Sequence, residues 1–260
     1  MSLNPYQPPQ AEVADFQPPS APGRFLGQPR RVAGANGARW FKDAWQLILA
    51  NPVLWVVAAL IVLALILAAQ LPPSLGLMLQ YLLFPLALAT LSGACDGTRR
   101  GEANRFGELF ALVAARATQL TLAGVLYLAG IILIALLVMV PLLGWDGLSV
   151  LYGEVTPAQL REPQRLMLAM LLLVGLSLPL FMAIWFAPSL ILLHGQSAAS
   201  AMVVSFAACV GNLWPFLIYG VVGLGLSVLA SLPFFLGWLV LLPVFMVTAY
   251  SSYRDLFFES

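Results

Sequence analysis

The apolar positions of this chain fall in long blocks and not in alternation. Between Arg165 and Arg254 lie 88 residues without one Asp, Glu, Lys or Arg, and His194 is the only imidazole among them. Shorter uncharged runs precede it: 52 residues between Asp43 and Asp96, and 29 between Arg116 and Asp146. A bilayer span needs about 20 apolar residues, so the blocks predict about six transmembrane helices, at 52–70, 74–95, 118–143, 166–193, 213–231 and 234–252. Asn51-Pro52 is an N-cap followed by a first-turn proline, the start signal of the first span. Pro72-Pro73 and Pro233 mark turns, and Pro179 and Pro188 break the fourth span. Residues 144–165 form a polar loop with Asp146, Glu154, Arg161, Glu162 and Arg165.

Three shorter segments have helical spacing and a polar side. In 38–50, Phe41, Ala44, Trp45 and Ile48 recur at helical intervals opposite Lys42, Asp43 and Gln46. In 106–117, Phe106, Leu109, Phe110, Val113 and Ala117 oppose Glu108 and Arg116. In 199–211 the markers are Met202, Phe206 and Cys209. Each is predicted to lie in the membrane interface as an amphipathic helix. The fold class is therefore all-α: a polytopic bundle of about six transmembrane helices with three short interfacial helices.

The segments also resemble one another. Ala44-Trp45, Leu109-Phe110 and Ser205-Phe206 stand at matching places. Five residues after each aromatic come Ala50, Ala115 and Gly211, followed by Asn51, Arg116 and Asn212. Two spans follow each time, the second with a proline: Pro85, Pro188 or Pro243. This predicts three tandem units, 38–97, 103–195 and 199–257, related by an axis along the membrane normal; chance likeness of short aromatic-rich helices is the alternative. The units form one membrane domain, 36–260. Residues 1–35, with seven of the nineteen prolines, are expected to be a disordered tail, a spacer or a ligand for a protein partner.

Composition agrees with the pattern: 61% hydrophobic and 9% charged, with mean hydropathy +0.93, where soluble domains carry roughly 25% charged residues. Charge position adds sidedness. Six spans put ten of the twelve basic residues on one side, leaving Arg161 and Arg165 on the other. The positive-inside rule makes the basic side, and both termini, cytoplasmic. Cys95 and Cys209 fall on that side and are expected to be reduced thiols.

Candidate chemistry is sparse. No predicted span has a charged residue in its middle, where proton-coupled transport usually needs one. Hydroxyls such as Thr90, Ser177, Ser227 and Thr248 are expected to bond helix backbones. His194 is alone, so neither a four-ligand zinc site nor a fixed catalytic pair is predicted; it reads as a helix-end histidine. No nucleotide-binding loop appears, and catalytic residues, cofactors, metals and nucleic-acid partners are expected to be absent. Gly223, Ser227 and Ser231, and Ala89 and Gly93, have the spacing of close helix packing. Trp40, Trp45, Arg99, Arg100, Arg105 and Arg254 are the candidates for contact with anionic lipid headgroups or partners.

Several short motifs carry a resemblance: Asn4-Pro5-Tyr6-x-Pro8-Pro9, Asn51-Pro52-x-Leu54-Trp55, Phe106-Gly107-Glu108-Leu109-Phe110, Ser205-Phe206-Ala207-Ala208-Cys209, Asn212-x-Trp214-Pro215-Phe216 and Tyr253-Arg254-Asp255-x-Phe257. Together, in this order, the chain resembles a family of proteobacterial multi-span inner-membrane proteins. The group is similar to membrane regions fused to glycerophosphodiester phosphodiesterases, although no such catalytic domain is present. The resemblance implies an inner-membrane protein and supplies no activity. The expected function is a non-enzymatic membrane protein organising lipids or partners. The alternative is a permease or channel-like protein for a neutral or apolar substrate, and an intramembrane enzyme comes third.

Overall fold

Asn51 ends one helix and begins the next. Its N–H bonds to the Leu47 carbonyl and its Oδ1 accepts from the Val53 N–H at 3.2 Å, which closes α1 (Asn36–Ala50) and opens α2 (Val53–Ala69). The chain bends there by 109°. This computed structural model describes residues 23–69, 71, 73–102, 105–151, 156, 159, 160 and 162–259. Residues 1–22 of the expected tail, Pro72, Glu154 and Arg161 lie outside the described residues.

The chain continues as α3 (Pro73–Arg99), α4 (Phe106–Leu143), α5 (Asp146–Leu151), α6 (Leu166–Trp185), α7 (Ala187–His194), α8 (Ala198–Gly211), α9 (Leu213–Ser231) and α10 (Trp238–Phe257). No strand occurs among the described residues. The all-α membrane class stands. Among the described residues four stretches are long and apolar enough to cross a bilayer: Met78–Arg99, Phe106–Leu143, Leu166–His194 and Leu213–Ser231; α1 and α2 count as a fifth candidate when the bent pair is taken as one span.

Asn212 stands between α8 and α9, where its N–H bonds to the Cys209 carbonyl but its side chain makes no cap bond to α9. The third junction differs. Residues 106–117 and 118–143 were expected as separate helices, but α4 runs through both for 38 residues. Arg116 and Ala117 are good helix formers, no proline follows, and no Asn side chain competes for the backbone. At about 1.5 Å per residue, α4 is about 57 Å long, far longer than the bilayer core.

The proline effects also differ by position. Pro179 and Pro85 sit inside unbroken helices. Pro188 stands in the first turn of α7, after a break at Phe186. The Ser205 hydroxyl bridges that break, accepting from the Phe186 N–H at 2.9 Å and donating to the Met182 carbonyl at 2.7 Å. A membrane interior requires such replacement of lost backbone bonds. The last helix begins at Trp238, later than expected. Phe234 and Phe235 before it have positive φ, so the Pro233 turn is a wider loop, closed by a Trp238 indole bond to Ser231 Oγ.

Packing is ring-like. Helix α3 lies between α2 and α4, α4 packs on α6 and α7, α6 on α8, and α1 on α9 and α10, while α10 returns to α2 and α3. Gly37 of α1 meets the Pro215 backbone, leaving no space for a Cβ. Gly223 faces Phe245 and Phe41, and Gly93 faces Leu109 and Leu192, so these small residues serve intramolecular packing. The main core gathers at the end holding both described termini, around Leu54, Leu91, Phe186, Leu190, Ile191, Tyr253 and Phe257. A smaller cluster of Val138, Met139, Leu143, Leu160 and Ala169 closes the opposite end of α4 and α6.

Residues 23–35, read from the sequence as tail, are part of the fold. Leu26 N–H bonds to the Phe257 carbonyl at 2.9 Å, Arg30 N–H to the Leu256 carbonyl at 2.8 Å, and Glu259 N–H to the Arg24 carbonyl at 3.1 Å. Phe25 and Val32 pack on the core; the proline count concealed these two anchors. Asn212 holds this strap, accepting from Val32 N–H at 2.9 Å and donating to the Arg30 carbonyl at 3.0 Å. Asn212→Ala is predicted to cost about 1–3 kcal/mol through unsatisfied buried groups and to expose Arg24–Arg31 to trypsin. Unchanged melting and proteolysis would refute this role for Asn212.

Candidate functional site

The ends of α3, α7 and α10 meet beneath the strap. Ser92 and Ser189 hydroxyls join α3 to α7 at 2.8 Å. Tyr250 Oη donates to Asp96 Oδ1 at 2.9 Å, joining α10 to α3. His194 Nε2 and Tyr253 Oη join α7 to α10. Each side of this triangle therefore has one side-chain bond. Its centre is filled: Tyr250, Tyr253, Leu91 and Cys95 are buried. His194 is in the last turn of α7, as expected of a helix-end histidine, with Phe25 stacked on it at 3.5 Å.

Asp255 ties the first helix to the last. It accepts from Asn36 Nδ2 and Trp40 Nε1, each at 2.8 Å, and from Arg30 Nη2 at 3.1 Å, while Arg30 Nε donates to its backbone carbonyl. Trp40 is 1% exposed. It was a candidate for lipid contact, and the structure instead places it in the interior, because its indole N–H finds a carboxylate there.

The other candidates lie at the same end but do not form one site. Trp45, expected on the apolar face of α1 and in contact with lipid headgroups, faces outward, while the buried stripe is Gly37, Trp40, Phe41, Ala44, Leu47 and Ile48. Arg100 pairs with Asp96 at 2.7 Å and Arg105 with Glu108 at 3.3 Å. Arg254 lies 3.7 Å over the Phe258 ring; burial lowers its pKa from the ordinary value, and Arg99 adds to the effect. Burial raises the Asp43 carboxyl, with Arg39, Arg99 and Lys42 opposing. The sequence reading missed Asp255, Asp96, Arg30 and Phe25 as organising residues. The cluster Tyr250–Asp255 was visible, but the partners of Tyr250 and Asp255 lie 154–225 positions away.

Two hollows remain. A cleft of about 280 Å³ opens among α2, α3, α4 and α7, with Leu54, Val57, Leu109 and Leu112 on its apolar side. Arg100, Arg105 and Arg116 face Asp96, Glu102 and Glu108 around it, and the Arg116 guanidinium lies over Gly195. A shallower recess of about 380 Å³ is formed by Leu65, Gln80, Tyr81, Phe84, Tyr127 and Phe181. Among the described residues no group of three His, Cys, Asp or Glu could hold a metal ion.

Asp255→Ala strands three donors and is predicted to cost about 2–3 kcal/mol, the range of hydrogen bonds to charged groups, read as a lower melting temperature; Asp255→Asn should recover part of it. Cys95 and Cys209 are free and buried, and burial pushes the Cys209 thiol up to about 12. Both are predicted to resist maleimide in the folded protein and to react after denaturation; rapid native labelling would contradict the packing. Comparison with protein-family models, curated proteins and solved structures finds no match, so the geometry of this end carries the functional argument.

Proposed function

We propose that this chain is a non-enzymatic, six-span protein of the bacterial inner membrane that organises phospholipid around its basic, cytoplasmic end. The observation that carries the reading is the filled triangle of α3, α7 and α10. A bundle sealed on its own axis by Tyr250, Tyr253 and Asp96 leaves its outer surface as the place of action. That surface presents the matching aromatics of the three short segments, Trp45, Phe110 and Phe206, which are 43%, 66% and 39% exposed. Aromatic rings at the headgroup level anchor membrane proteins.

The six-span count adds α2 and α10 to the four clear candidates. Helix α2 has 17 apolar residues, the lower limit for a span. Helix α10 carries Tyr250–Arg254 in its last turns, which lowers its mean hydropathy without moving its apolar first half. The three-unit repeat draws support from the outward aromatics and from the inward Ala44 and Ser205 before two of them. The unbroken α4 is its departure. The tail at 1–22 is proposed as a spacer or a ligand for a protein partner. Arg24, Arg31, Lys42 and Arg99 are the side chains that would draw anionic headgroups.

A permease for a neutral or apolar substrate is the second reading, favoured by the recess around Gln80, Tyr81 and Tyr127. Vesicles reconstituted with the protein are expected to pass small neutral solutes no faster than protein-free vesicles; saturable flux would replace the first reading by the second. For sidedness, Cys95 and Cys209 are changed to Ala, and Ala38→Cys and Leu232→Cys are introduced singly. An impermeant maleimide on intact cells is expected to label only Leu232→Cys. The reverse pattern would invert the topology.

A further inference from the structure

We propose that the cleft among α2, α3 and α4 binds one zwitterionic aminophospholipid, its phosphate toward the arginines and its ammonium toward the glutamates. The proposal rests on the lipid-organising reading and names its ligand class.

Charge selects the headgroup. Three guanidiniums and three carboxylates border the cleft, so its formal charge is zero. A purely anionic headgroup would meet arginines already engaged: Arg100 by Asp96 and Arg105 by Glu108. A phosphate joined to an ammonium offers a counter-charge to both partners of such a pair. Glu108 is 71% exposed on its side chain and Arg105 58%, so both can turn toward a ligand at little cost, as expected of a surface ion pair.

Dimensions select a membrane lipid over a soluble phosphoamine. Val57, Leu54 and Leu112 form an apolar side to the cleft, which a soluble headgroup would leave unfilled. The recess at Tyr127 shares α2, α3 and α4 with the cleft and adds Phe181 of α6. From Arg116 to Tyr127 on α4, and from Leu54 to Leu65 on α2, the chain advances eleven residues, or about 16 Å. One leaflet of hydrocarbon is about 15 Å, half of the bilayer core. A lipid with its headgroup in the cleft would therefore bring its acyl ends to the recess beside Tyr81 and Tyr127.

The test uses the full chain in nanodiscs of equal phosphatidylethanolamine and phosphatidylglycerol, with native mass spectrometry counting retained lipid. One phosphatidylethanolamine is expected to be held with about tenfold preference, equivalent to about 1.4 kcal/mol. The double variant Glu102→Gln/Glu108→Gln removes the ammonium's partners and should abolish or reverse that preference. Leu112→Trp, which fills the apolar side, should reduce retention of both lipids. Because Glu102, Glu108 and Leu112 are exposed, these variants should keep the wild-type melting temperature. Equal retention of the two lipids, an unchanged preference in the double variant, or displacement of the lipid by inorganic phosphate alone would each overturn the site. Absence of solute flux together with any of these leaves the lipid-organising reading standing and removes only this site; saturable flux removes that reading.

Discussion

Three hydrogen bonds hold α3, α7 and α10 together where they end, and the rest of the molecule is arranged around them. Helices in lipid gain little from burying apolar side chains against one another, since lipid tails are equally apolar. Association must come from close packing and from polar groups that find partners. Here the pairs Ser92–Ser189, Tyr250–Asp96 and His194–Tyr253 each link a different pair of helices. The Asp96 pair is charge-assisted, the stronger kind. The fold therefore concentrates its specificity at one end, while the remaining lengths of the spans expose residues such as Leu63, Leu171 and Leu224.

The strap and Asp255 secure the same end. Asp255 gathers donors from Arg30, Asn36 and Trp40, and Asn212 holds the strap from the other side. Both ends of the described chain thus converge on the triangle. Local unfolding of the strap would uncover Phe25, the His194 ring beneath it, and the Tyr253 bond. This coupling explains why a segment outside every span belongs to the core.

Local periodicity made much of this legible. The Asn51-Pro52 start signal marks a real junction, and the four clearest apolar blocks became helices. The run through Arg116 was misjudged because a change from amphipathic to apolar pattern does not itself break a helix; a breaker residue does. The strap was misjudged because proline content describes local stiffness, whereas Phe25 and Val32 find their partners more than 160 positions away. Trp40 and Trp45 show the same limit. The two tryptophans stand five residues apart on one helix and point in different directions, and the location of Asp255 decides which indole is buried. Distant pairing of this kind leaves no mark in sequence spacing.

The cleft and the helix junctions meet at one end of the bundle. At Asn51 the chain turns sharply, and at Asn212 the helix breaks, so α1 and α8 lie as separate helices against their neighbours. At Arg116 the helix continues, so Glu108 and Leu112 stand on the same helix as the span that follows. The hollow bordered by α2, α3 and α4 opens beside that continuous helix. Leu109, in the first turn of α4, meets Gly93 of α3 where Leu192 of α7 also lies, so the cleft runs along turns that touch both helices. The charge-balanced cleft with an apolar side thus borders a helix that runs unbroken past Arg116, between the junctions at Asn51 and Asn212.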